Sequence, residues 1–199
     1  MGRVTRLFFV VVLLSWAGTA LAKVESSEKP PLPYFDWGAC PFECCTYRKW
    51  QVKDSVTIYK SRNQKAGVAF RLKQGEWVTG VTGVVVTKQF GISKILKPLE
   101  IGYPLKKGAD KPVLSLKPGE FFYPLHYLGE GFDLFWYKGN IYSDQISGRE
   151  PDPEPPPPEL NVQVVSLPKT VWWVKIRNKA GLFGWTDEVN KFDHQDACE

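Results

Sequence analysis

The chain has 199 residues, with 26 Lys and Arg against 21 Asp and Glu, a formal charge of +5 and 14% aromatic side chains. Basic residues stand singly among acids and aromatics, with no run to track a phosphate backbone, which argues against a nucleic-acid partner. Beyond residue 22 no stretch approaches the roughly 20 apolar residues of a spanning helix, so no stable membrane span is expected after that point.

Residues 1–22 read as a secretory signal peptide. Arg3 and Arg6 supply the positive start, Leu7 to Trp16 the apolar stretch, and Ala20-Leu21-Ala22 the small-residue cleavage site. The expected destination is periplasmic or extracellular, and loss of the two arginines takes the charge from +5 to +3. No Cys lies near the cleavage point, which argues against a lipoprotein anchor. Residues 23–33, polar and rich in proline, are expected to be a flexible spacer.

The cysteines follow: Cys40, Cys44 and Cys45, then Cys198 near the far end. In an exported protein four cysteines read as two disulfides. Adjacent Cys44 and Cys45 are poor partners for each other, so Cys40 is expected to pair with one of them and Cys198 with the other. A metal site using Cys40, Cys44, Cys45 and His194 has the wrong spacing for a common zinc pattern. No metal and no cofactor are expected.

Gly and Pro number 17 and 16, and no long window keeps a helical apolar period. An all-β protein of many short strands is expected. Val56 to Tyr59 and Gly67 to Leu72 read as a strand and its partner. Leu72-Lys73-Gln74-Gly75-Glu76-Trp77 then returns as Leu116-Lys117-Pro118-Gly119-Glu120-Phe121. Pro118 and Gly119 suit the first and second central positions of a type II turn, where φ must be positive at the second, and each Leu-Lys-x-Gly-Glu turn leads into a strand that opens on an aromatic. This echo predicts two related β units. The first spans 34–100 with its Cys-rich start, and the second spans 101–149, closed by a hairpin over Phe132 to Tyr142.

A second Pro-rich stretch, 150–159, is expected to be an extended, semi-rigid spacer. Its Asp152 and Glu154 are paired carboxylates that such a spacer would leave unheld. In 160–199, Val171 to Arg177 alternates apolar and polar residues, Asn178 to Gly181 supplies a turn, and Leu182 to Trp185 returns. The first unit lacks such a hairpin of its own. The second unit is therefore expected to interrupt the first, with 160–199 completing it; two tandem units and a separate tail is the alternative arrangement.

These elements resemble the bacterial SH3-like domain family, also called SH3b. Its pattern has an opening strand, a Leu-Lys-x-Gly-Glu turn before an aliphatic strand, and a Trp-bearing strand with a Gly-x-x-Gly-Trp return. Here they are Val56 to Tyr59, Leu72 to Val78, and Trp172 to Trp185. The resemblance implies small, strongly bent barrels that bind peptidoglycan or peptides. The opening Thr57-Ile58-Tyr59 departs from the family's Asn-Val-Arg, and the cysteines and Pro-rich break lie outside the pattern.

Catalysis is not expected. The chain has two His, no phosphate-binding Gly-rich loop, no Gly-x-Ser-x-Gly elbow and no His-Glu-x-x-His. His126 reads as a structural His within a strand and His194 as exposed. The aromatic side chains Tyr59, Trp77, Trp136, Trp172, Trp173 and Trp185 are the candidate binding platform, with Lys175 and Arg177 as its polar rim. Trp172 and Trp173 must point to opposite faces of their strand. The expected function is non-enzymatic binding of peptidoglycan, a peptide or an envelope protein. The alternatives are an assembly subunit of an envelope complex and a cysteine-dependent enzyme or redox protein.

Overall fold

The computed structural model describes residues 28–102, 113–146, 148 and 150–198. The expected signal peptide, the first five residues of the first spacer, and Tyr103 to Pro112 lie outside the described residues. The protein is all-β, 52% strand and 2% helical, and its large sheet curls into half a barrel. Among the described residues no helix is long and apolar enough to cross a membrane.

The first strands are β1 (Tyr34–Trp37), β2 (Lys49–Val52), β3 (Val56–Tyr59), β4 (Val68–Leu72) and β5 (Trp77–Gln89). Then come β6 (Ile92–Ile95), β7 (Leu99–Gly102), β8 (Val113–Leu116), β9 (Phe121–Gly129), β10 (Phe132–Tyr137) and β11 (Asn140–Asp144). The chain closes with β12 (Val162–Ser166), β13 (Lys169–Arg177), β14 (Phe183–Thr186) and β15 (Phe192–Asp193). The large sheet has the order β15-β2-β5-β13-β14-β3-β4, with β1 also on β5. A five-stranded sheet has the order β11-β10-β9-β6-β12, and β7 and β8 pair with each other.

The C-terminal hairpin thus sits inside the large sheet: β13 pairs with β5 and β14 with β3. Strand alternation explains why. Val174 and Ile176 face inward and join Trp50, Val52, Ile58 and Val78 in one core, while Ile95, Phe122, Phe135 and Tyr137 form a separate core in the other sheet. Gly184 lets β14 approach β3, because a Cβ there would stand 2.8 Å from the Tyr59 carbonyl oxygen. Asn178 sets the hairpin turn: its side-chain oxygen accepts from Leu182 N–H at 2.9 Å, and Gly181 takes φ +80°.

The two Lys-x-Gly-Glu turns are built alike. Gly75 and Gly119 have φ of +83° and +87°. In each turn the Glu N–H donates to the Lys carbonyl at 3.2 Å, and the Glu carboxylate accepts from the Lys N–H at 3.1 Å. Each Gly N–H also reaches the strand that will pair with the next one, Val52 O at 2.7 Å and Ile95 O at 2.8 Å.

The sheets change partner at Gly91 rather than at residue 100. β6, placed by sequence in the first unit, pairs with β9 and β12 in the five-stranded sheet. β12, placed with the C-terminal hairpin, belongs there too. The strand after the first turn, β5, runs through Gly80 and Gly83 to Gln89. Those glycines provide room for neighbours instead of turns: a Cβ on Gly80 would come within 2.8 Å of the Trp50 ring. The Pro-rich stretch is also tied down. Asp152 accepts from Val164 N–H at 2.6 Å and Glu154 from the Gln163 amide at 2.7 Å, so both carboxylates are held against β12.

Two disulfides anchor the ends, Cys40–Cys45 and Cys44–Cys198, with Cα separations of 5.5 and 5.7 Å. The tail lies along the Cys-rich segment: Thr46 N–H donates to Gln195 O at 2.9 Å, and Ala197 N–H to Cys44 O at 2.8 Å. Cys44, Asp196 and Cys198 come close together, but both sulfurs are taken up by the bridge.

Candidate functional site

β13 decides which aromatics are available. Trp172 faces the core side, where it meets Trp50 and Phe42 edge-on at 6.4 and 5.9 Å. Its indole N–H donates to the Tyr47 hydroxyl at 3.2 Å, which in turn donates to the Ala39 carbonyl. Burial pushes the Tyr47 phenol up to about 12, so it stays neutral and can keep donating. Trp172 is a structural residue in this setting.

Trp173, Lys175 and Arg177 face the other way. Register places Trp173 beside Val84 and Trp37, Val171 beside Val86 and Phe35, and Lys175 beside Trp185 and then Tyr59. Trp173 forms the floor of this face, 7% exposed and packed with Val84 and Val86. Tyr59 and Trp185 flank it. Phe35 and Trp37 stand up from the edge, with Trp37 60% exposed.

Arg62, from the β3–β4 loop, reaches over these rings. Its guanidinium carbon lies 4.4 Å from the Trp37 centroid, 5.4 Å from Phe35 and 5.7 Å from Trp185. Lys175 Nζ lies 5.3 Å from Phe183 and 6.0 Å from Trp185. Cations held this close to aromatic faces interact with the ring quadrupole. A shallow depression of about 530 Å³ opens beside them, lined by Phe35, Arg62, Lys65, Lys88, Trp173 and Asp187 among others. Asp187 accepts from the Gln64 amide at 3.0 and 3.1 Å. The face offers exposed rings with a cationic rim.

Of the residues singled out by sequence, Tyr59, Trp173, Trp185 and Lys175 therefore meet on one face. Trp77 and Arg177 lie at the far end of the same sheet, lining a groove of about 750 Å³ with Lys49, Thr79 and Lys179. Trp136 is in the five-stranded sheet, paired with Tyr123 and Ile141. Sequence reasoning missed Phe35, Trp37 and Arg62. The short alternation of Tyr34 to Trp37 was the available signal for the first two; nothing local marks Arg62.

The two histidines differ in setting. His126 is 2% exposed, with Nε2 2.8 Å from Asp36 Oδ2 and Nδ1 2.8 Å from the Tyr127 carbonyl oxygen. It ties β1 to the five-stranded sheet. His194 is exposed and stacks on Trp77. No family model matches the chain, and no curated protein or solved structure matches it.

Proposed function

We propose that this is an exported, non-enzymatic binding protein whose large-sheet face holds cell-envelope material, peptidoglycan or a peptide. The observation that carries this reading is the exposed Phe35–Trp37 pair with Arg62 over it, next to Trp185 and Lys175. Rings of this kind stack on apolar faces of sugars or side chains, and the cations add directional contacts. We further propose that the fold consists of two SH3-like units, the second interrupting the first. The matched Lys-x-Gly-Glu turns support this, as does the correspondence of β2-β5-β13-β14 with β6-β9-β10-β11.

Cosedimentation with purified peptidoglycan tests the function. The wild-type protein should pellet with it, and Trp37→Ala and Arg62→Ala should stay mainly in the supernatant. Absence of pelleting, or pelleting indifferent to both substitutions, would sink the proposal and favour an assembly subunit whose face packs against a protein partner.

A further inference from the structure

The groove at the opposite end of β13 has a different character. Lys49, Thr79 and Arg177 form one row across β2, β5 and β13, and Trp77 lies one pair further along the same face of β5. Lys179 enters from the hairpin turn, and among the described residues no carboxylate lines the groove. A smaller depression continues it past Trp77, Asn178 and Lys179, adding Arg71 and one acid, Glu76. Lys49 and Arg177 stand two strand spacings apart, about 10 Å. Like charges so placed repel unless a ligand balances them.

Trp77 is 39% exposed. His194 stacks on it with centroids 5.2 Å apart and planes 15° apart. His194 is itself held, because Arg48 Nε donates to its carbonyl at 3.0 Å and the tail is bridged to Cys44. An aromatic fixed in this way loses little side-chain freedom on binding.

We propose that this groove is a second binding site, for an acidic oligosaccharide carrying carboxylates on successive rings. Trp77 would stack on a pyranose face, while Lys49, Arg177 and Lys179 would take the carboxylates. A peptide fits less well. The strands beneath are all internal to the sheet, so no free main-chain edge is offered for strand addition. The groove is centred away from Phe35 and Trp37, towards the other end of the same sheet face: Val171, in register with Phe35, and Arg177 are six residues apart on β13, roughly 20 Å, with Lys175 between them.

The test is calorimetric titration of the intact, disulfide-bonded protein with a galacturonate hexamer. The controls are a neutral glucose hexamer, hexaglutamate and a single-stranded hexanucleotide. The galacturonate hexamer should bind at least about tenfold more tightly than any control, with affinity falling as salt rises. Trp77→Ala and Arg177→Gln should each weaken it about tenfold, Trp77→Phe should retain most of it, and Trp37→Ala should leave it unchanged. Both substituted side chains are exposed, so the fold is kept. No binding at millimolar galacturonate, equal binding of hexaglutamate or the oligonucleotide, or indifference to Trp77→Ala and Arg177→Gln would overturn the proposal.

Discussion

Removing the Cys44–Cys198 bridge should destabilise the protein far more than removing Cys40–Cys45. The two bridges span 154 and 5 residues. Loop-closure entropy then assigns about 5 kcal/mol to the long bridge and about 2 kcal/mol to the short one. The folded tail keeps its other contacts, including the Thr46–Gln195 and Ala197–Cys44 hydrogen bonds and those from Arg48 to the His194 and Asp196 carbonyls. The fold should therefore survive while the unfolded chain gains freedom. In urea, Cys44→Ser/Cys198→Ser should move the unfolding midpoint down by about 2 M, with a slope no lower than the wild type's because the unlinked unfolded chain exposes more surface. Its melting temperature should fall by about 10–20 °C. Cys40→Ser/Cys45→Ser should lose about half as much or less. Equal losses, or a larger loss for the short bridge, would refute this reasoning.

Three further outcomes follow from particular contacts. Gly184→Val should cost about 2–4 kcal/mol in urea unfolding, because its Cβ would press on Ile58 and on the Tyr59 carbonyl and pry β14 from β3. A cost below about 0.5 kcal/mol would mean that the hairpin does not dock there. Glu120 is held at about 2, first by the Lys138 ammonium 2.7 Å away and then by the Tyr137 hydroxyl. Its folded carboxyl lies below the ordinary 4.5, so its stabilisation is present above that value and lost as pH falls towards 2. Lys138 is well exposed and Glu120 partly so, so Glu120→Gln should cost only about 0.5–1 kcal/mol at pH 7 and nothing near pH 2, measured as urea midpoints across that range. Asp36→Ala should cost about 1–3 kcal/mol, because it strips buried His126 of an acceptor; an unchanged urea midpoint would show that β1 is not anchored there.

The legible parts of the fold were those with local chemistry. A positive-φ Gly followed by Glu marks both turns, and strict alternation with an Asn-to-Gly turn marks the β13–β14 hairpin. The close-packing role of Gly80 inside β5 is not legible locally, because glycine serves both turns and close packing and only the position of Trp50 tells them apart. Alternation shows that Trp172 and Trp173 face opposite ways, but the choice of structural partner rests with Tyr47 and Phe42, carried by the segment that the disulfides hold. The binding face was half legible for a similar reason. Tyr59, Trp185 and Lys175 sit on strands with clear periods, whereas Trp37 and Arg62 come from a four-residue strand and a loop that only the folded chain brings together. Proline predicts an extended backbone but not the neighbours that it runs beside, so the contacts that hold Asp152 and Glu154 against β12 are not legible locally.

The most direct test of the binding face is a nuclear magnetic resonance titration with soluble peptidoglycan fragments, following tryptophan indole and arginine side-chain signals. Saturable shifts at Trp37, Trp185 and Arg62, with Trp136 and Trp172 unmoved, are the predicted result. Silence at those three groups, or shifts confined to the five-stranded sheet, would contradict the account.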